Sequence, residues 1–275
     1  MKLCASNIAW NASEDELALA ALRREGVCHV EIAPTRMWPE WEGASASAAA
    51  AARPRLEELG FRVGAMQSLL FAKPHMSLFT RDPAQRLEMM DHFRLLADIA
   101  GELGAKALVF GSPKQRRREQ MSTTDAYGIA VDVFGQVAEI CAARDTFVAL
   151  EANPVDYGCD FVSSAFEAAT LVGCIAHSGM KLHLDTACMQ LAGDTPALLV
   201  QRYADILGHV HVSAPYLQPV FSEVSAPHAA LAQALRDAKY DGLVSLEMRR
   251  HDEALPAFER SVAFLRSHYG SNYPD

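Results

Sequence analysis

Four short runs in the second half of the chain decide its reading: Phe147-Val148-Ala149-Leu150-Glu151, Met180-Lys181-Leu182-His183-Leu184-Asp185, Ile206-Leu207-Gly208-His209-Val210-His211 and Leu243-Val244-Ser245-Leu246-Glu247. Each is apolar and strand-like, and each ends on a side chain able to hold a divalent cation. The end residues stand 34, 26 and 36 positions apart, about one strand-plus-helix unit each. Parallel barrel strands deliver their C-terminal ends to one mouth, so residues this far apart in sequence converge there.

Working outward, strand-like and helix-like segments alternate along the whole chain. Lys2 to Ile8 reads as a strand, and Ser13-Glu14-Asp15-Glu16 as a capping box opening a helix to Arg24. Cys28 to Ile32 is the second strand. The Ala-rich stretch Ala44 to Leu59 is a helix, because Ala is the best helix former. Phe61 to Met66 is the third strand. Asp82-Pro83 starts a long helix, with Leu87, Met90, Phe93, Leu96 and Ile99 as its core-facing stripe and Gly104 as its stop.

Ala107 to Phe110 is the fourth strand and Thr123 to Ala143 the next helix. Ser164 to Glu167 is a capping box for the helix after Glu151. A short helix follows Thr195-Pro196, another spans Pro227 to Ala238, and the last runs from Glu253 to His268. Eight strand–helix pairs in one chain of 275 residues predict a parallel sheet closed as an α/β (β/α)8 barrel, a single domain over 1–275. No Gly-x-Gly-x-x-Gly follows the first strand, which argues against a doubly wound open sheet.

Composition sets outer bounds. The chain is 50% hydrophobic and 21% charged, ordinary for a globular enzyme, and its net charge is −9. That charge argues against a nucleic-acid partner held through phosphate neutralisation. No apolar stretch reaches the roughly 20 residues that cross a bilayer, so no membrane role is expected. The first residues, Met1 to Ser6, lack the apolar core of a signal peptide. The six cysteines are scattered without metal-knuckle or redox spacing, so buried free thiols and a cytoplasmic location are expected.

The end residues together suggest chemistry that none suggests alone. Glu151, Asp185 and Glu247 bring three negative charges to one low-dielectric place, and a divalent ion relieves their repulsion. Three carboxylates and one imidazole suit Mn2+, Mg2+ or Co2+ and accommodate Zn2+. His209 and His211 share a strand face, and spacing allows either as the ligand. His211 lies nearer the mouth and is preferred, leaving His209 and His183 one layer deeper.

At these residues the chain resembles the xylose-isomerase-like TIM-barrel superfamily of sugar and sugar-phosphate isomerases and epimerases, nearest the D-tagatose 3-epimerase type. The likeness is carried by Leu150-Glu151-Ala152-Asn153-Pro154, His183-Leu184-Asp185-Thr186, His209-Val210-His211-Val212 and Ser245-Leu246-Glu247-Met248. It implies one metal ion held by Glu151, Asp185, His211 and Glu247. It also implies proton transfer by Glu151 and Glu247 through a cis-enediolate of a sugar substrate. A dehydratase acting on an inosose or a dehydroshikimate-like substrate shares the same barrel. An endonuclease IV-like repair enzyme and a non-catalytic sugar-binding barrel are weaker readings, the first because strands one to four end without a matching histidine set. Barrels of this kind often self-associate, so a homo-oligomer is implied by the resemblance alone.

Two positions depart from the epimerase pattern. Cys188 stands where those enzymes carry a substrate-contacting His, and Leu217 where they carry an Arg. The loop Lys114-Gln115-Arg116-Arg117-Arg118 is the densest basic cluster, and it suggests an anionic sugar derivative held by Lys114 and Arg116. Gln67, Cys188 and His183 complete the expected substrate contacts. Asn7, Glu31, Trp10, Trp38, Phe71, Tyr157 and Tyr216 are further mouth candidates.

Overall fold

Strands β1 (Lys2–Ser6), β2 (His29–Ile32), β3 (Arg62–Met66), β4 (Ala107–Phe110), β5 (Phe147–Glu151), β6 (Met180–Asp185), β7 (Leu207–Val212) and β8 (Leu243–Leu246) pair in parallel with their sequence neighbours, and β8 pairs with β1 to close a barrel. The structure, a computed structural model, describes residues 1–221, 227–250 and 254–270. Around the strands lie α1 (Asp15–Arg24), α2 (Pro34–Met37), α3 (Ala46–Glu58), α4 (Pro83–Leu103), α5 (Thr123–Ala142), α6 (Ala165–Ile175), α7 (Thr186–Ala192), α8 (Pro196–Tyr203), α9 (His228–Asp237) and α10 (Ala254–Tyr269). This is the single (β/α)8 barrel that the alternation predicts. No helix among the described residues is long and apolar enough to cross a membrane.

The strands are apolar on both faces because both are covered. All four residues of β4 are buried. Phe110 points outward, where its ring lies 5.1 Å from Phe134 on α5 and 6.1 Å from Phe93 on α4. Ala65, Ala107, Val109 and Ala149 form a separate small cluster with Phe147 and Leu243. Small residues on β3, β4 and β5 leave barrel volume for the imidazoles of β6 and β7.

Several boundaries move for local reasons. The first helix starts at Asp15, not Ser13, because Glu14 Oε2 reaches back to accept the Asn11 N–H at 2.8 Å. Leu87 is 59% exposed and leaves the expected stripe, since α4 packs on the barrel only from Met89 onward. Between Asp185 and Thr195 the sequence reading missed α7, which ends at Gly193 with φ of 72°. Glu253, the expected start of the last helix, lies outside the described residues, which take α10 from Ala254. Cys4, Cys141, Cys159 and Cys188 are buried as expected, but Cys28 and Cys174 are exposed; all six are free thiols.

Two stability predictions follow from this packing. A Cβ built on Gly179 would stand 2.0 Å from the backbone oxygen of Ala138. Gly179→Ala is expected to destabilise the fold by about 2–3 kcal/mol in urea denaturation. His228 Nδ1 and the Tyr269 hydroxyl share a hydrogen bond of 2.7 Å, and burial lowers the His228 pKa to about 4. The unfolded chain therefore takes up this proton first as pH falls below the ordinary His value. Stability should drop between about pH 6.5 and 4, by up to about 2 kcal/mol from this residue. His228→Gln should flatten that part of the profile, read as unfolding free energy against pH.

Candidate metal centre

The barrel brings the four expected strand ends to one rim. Glu151 ends β5, Asp185 ends β6, His211 lies at the end of β7, and Glu247 follows β8 by one residue. Glu151 is in register with His183, and Asp185 with His211. Ligand-type atoms of Glu151, His183, Asp185 and His211 all lie within 4.8 Å of one another. Glu247 Oε2 lies 3.4 Å from His211 Nδ1, and Asp185 Oδ2 4.0 Å from it.

Each side chain is held by its neighbours. Asp185 caps α7: its Oδ1 accepts the Cys188 N–H at 2.6 Å, while its Oδ2 accepts from the Ser213 hydroxyl at 2.5 Å. Ser213 is tied in turn to Thr186, whose hydroxyl donates to its carbonyl at 2.7 Å. Glu151 fits because residue 111 is glycine; a Cβ there would stand 2.1 Å from Glu151 Oε2. Behind Glu151, Arg116 donates to its carbonyl oxygen at 2.6 Å.

Glu31 sets the orientation of His211. Its carboxylate is fully buried, yet the charges and hydrogen bonds of His211 and His209 hold it well below the usual carboxylate range. An ionised carboxylate can accept but not donate. Both His209 Nε2, at 2.7 Å, and His211 Nε2, at 2.9 Å, must therefore carry the proton and donate. That turns His211 Nδ1 toward Asp185 and Glu247. A carboxylate behind a histidine is the arrangement that orients metal-binding imidazoles.

The charges of the group are in tension. Burial, reinforced by Asp185 and Glu247, pushes the Glu151 pKa up to about 8. Burial also raises Glu247, although His211 opposes it. His211 is raised well above the ordinary His value despite its burial, because Glu31 and Glu247 flank it. Protons thus stand where positive charge is wanted. A divalent cation fits this donor set: His211 Nδ1 is buried without a hydrogen-bond partner, and three carboxylates surround it with hard oxygen donors.

The other expected contacts separate into two groups. A cavity of about 190 Å3 at the mouth is lined by Glu151, Glu247, Gln67 and Leu217 among others. Gln67 Nε2 donates to Ser6 Oγ at 2.5 Å, which aims its amide across the rim. Cys188 is buried, with Sγ 3.7 Å from Glu151 Oε1. Burial and the Asp185 and Glu151 charges raise its pKa well above the thiol value, so it stays protonated.

His183 is not at the mouth. It is buried beneath, with its ring 4.3 Å from that of His211, and neither of its nitrogens has a hydrogen-bond partner. The basic loop also corrects the expectation. Arg116 is completely buried, its guanidinium spent on the Glu151 carbonyl, Cys159 Sγ and the Val162 carbonyl, so it braces two loops rather than facing a substrate. Lys114 is exposed and does not line the cavity, and Arg117 and Arg118 line a separate groove with Arg81.

Among the weaker candidates, Glu31 proved central and Ser213 was missed altogether. Ser213 lies two residues beyond His211, a spacing that signals a shared strand face but not a function. Asn7 caps a turn by accepting the Ala33 N–H, and Trp10 packs on Phe258. Tyr157 and Tyr216 pair at the rim, with ring centroids 5.7 Å apart.

Residues 19–268 match the family model of the xylose isomerase-like TIM barrel, and the chain belongs to that family. No curated protein matches it. Among solved structures it is similar to D-psicose 3-epimerase with D-tagatose from Clostridium cellulolyticum H10, at 15% identity and a TM-score of 0.80 over 98% of this chain and 100% of that one. It is also similar to 3-keto-D-glucoside 4-epimerase from E. coli, at 18% identity and a TM-score of 0.77 over 97% and 99% of the two chains. The IOLI protein with a bound zinc atom aligns at 18% identity and a TM-score of 0.74 over 98% and 99%. Identities this low establish the shared fold.

Removing the carboxylate behind His211 tests this geometry. Glu31→Gln is expected to weaken Mn2+ or Zn2+ binding by about 10–100-fold, measured by calorimetry on the metal-stripped protein.

Proposed function

We propose that the protein is a divalent-metal-dependent isomerase or epimerase acting on a small, uncharged sugar. One observation carries the reading. Glu151 and Glu247, the two carboxylates raised by burial, both line the same mouth cavity and flank His211 and Asp185. Two such groups facing one small space can take a proton from a carbon and return one from another side.

Glu151, Asp185, His211 and Glu247 would hold the ion, as the resemblance implies. When bound, it supplies Lewis-acid stabilisation of the charge that forms on a carbonyl oxygen as the neighbouring C–H is deprotonated. Glu151 or Glu247, as its carboxylate, accepts that carbon proton. The other, protonated, donates to the opposite face and inverts the centre. Gln67 offers an amide to a hydroxyl group, and Leu217 with Val109 and Ile8 excludes water on the apolar side.

The described lining contains no Lys or Arg. That supports an uncharged sugar over a phosphorylated one. The epimerases among the similar solved structures agree with the reading, and the zinc in the IOLI protein agrees with a metal at such a site.

The test is a panel of ketoses and keto-glycosides in deuterated water with Mn2+, Co2+ or Zn2+ supplied. Deuterium is expected at the carbon beside the carbonyl, and Glu151→Gln and Glu247→Gln should each lower turnover about 10²–10⁴-fold with folding intact. Loss of water with a new enone chromophore would assign the dehydratase reading instead. Full exchange in both variants would exclude these glutamates as the proton carriers.

A further inference from the structure

A hollow lies at the other end of the barrel. It has a volume of about 540 Å3 and is formed by the first residues of the strands and the turns before them. Lys2, Arg62, Lys106, Lys181 and Lys239 line it, in a chain whose net charge is −9. Asp205 and Asp241 line it too. Lys106 is committed to Asp145 by an ion pair. The side chains of Lys2, Arg62, Lys181 and Lys239 make no ion pair or hydrogen bond among the described residues. Four cations without an ion pair against two carboxylates leave the hollow net positive.

A collar of solvated lysines would look similar in sequence, but these cations share the lining of one concavity. Several exposed cations elsewhere find acids: Arg24 with Glu259, Arg53 with Glu57, Arg94 with Asp91, and Arg144 with Asp98. Here the cations surround a concavity, and Lys181 is half-buried. Val63, Ala107, Phe147, Leu207 and Leu243 give it an apolar lining. Leu243 and Phe147 fit there because Gly64 and Gly208 carry no Cβ. A Cβ on Gly64 would stand 2.4 Å from Leu243, and one on Gly208 2.6 Å from both Phe147 and Lys181. Like charges around a concave, low-dielectric floor focus potential and gather counter-ions.

We propose that this hollow is a binding site for a small polyanion, with phosphoryl groups as the recognised chemistry. Lys2 on β1, Arg62 on β3, Lys181 on β6 and Lys239 before β8 come from separate parts of the barrel end, so a ligand with two phosphoryl groups can engage more of them than one phosphate. Arg62 supplies the planar fork suited to phosphate, and the lysines supply point charges. The site lies at the opposite end of the barrel from Glu151 and Glu247. Its ligand is therefore not the sugar of the metal centre, and the proposal stands whether or not that reading holds. His209 borders the hollow and donates to Glu31, so it connects the two ends.

The test is titration of metal-stripped protein with inorganic pyrophosphate at 0.15 M ionic strength, followed by calorimetry; stripping matters because pyrophosphate chelates divalent ions. One pyrophosphate per chain should bind, and tighter than orthophosphate. Arg62→Gln with Lys181→Gln, and separately the exposed pair Lys2→Gln with Lys239→Gln, should each weaken it at least about tenfold at unchanged circular dichroism. Lys114→Gln with Arg117→Gln, at the mouth end, should leave it unchanged. The site is refuted by no binding at millimolar pyrophosphate, by binding as tight as the unsubstituted protein's in both bottom-end pairs, or by loss in the mouth pair. Citrate binding tighter than pyrophosphate would overturn the phosphoryl assignment.

Discussion

Three carboxylates and an imidazole packed into one barrel rim repel and attract at close range, and much of the local structure answers that constraint. Parallel closure brings Glu151, Asp185, His211 and Glu247 together; it does not by itself keep them there. Asp185 is held by the α7 N–H of Cys188 and by Ser213. Glu151 needs the space that Gly111 leaves and the support of Arg116 behind its carbonyl. His211 is turned by Glu31. The raised carboxyl groups and the raised imidazole describe one condition: protons occupy positions that a divalent cation would take over.

The interior of the barrel is divided in the same way. On β3, β4 and β5 it is lined by Ala65, Ala107, Val109 and Ala149. On β6 and β7 it carries His183, His209 and His211, with the rings of His183 and His209 stacked at 5.3 Å. Layers of side chains must fill a barrel of this size. Large imidazoles on one wall therefore require small residues on the other. Glu31 stabilises the arrangement by accepting from two of the three rings. The imidazoles beneath the rim belong to the support of His211 as much as to the packing.

The fold was legible because a parallel barrel repeats one signal, an apolar run followed by an amphipathic helix, and the repeat survives small errors at each boundary. The rim residues were legible because chain order and strand direction suffice to bring strand ends together. What lies around them was harder. Arg116 belongs to the densest basic run, and sequence could not show that its guanidinium turns inward to backbone carbonyls. Glu31 looked like any acid at a strand end until its two histidine partners, from the far side of the barrel, were in place. Ser213 and Gly111 act through distance alone, and pattern carries no distance.

Charge placement then separates what the two ends of the barrel can recognise. The loop from Lys114 to Arg118 lies near the mouth in sequence, yet its arginines are turned into backbone carbonyls or a side groove, and the described mouth lining is uncharged apart from its glutamates. Lys2, Arg62, Lys181 and Lys239 line the hollow at the opposite end, around the strand starts. An anionic sugar entering the mouth would meet Glu151 and Glu247 with no described Lys or Arg beside them, whereas an uncharged polyol would meet hydrogen-bonding partners and an apolar wall. The same charge distribution that makes the mouth unsuited to phosphate makes the strand-start hollow suited to it.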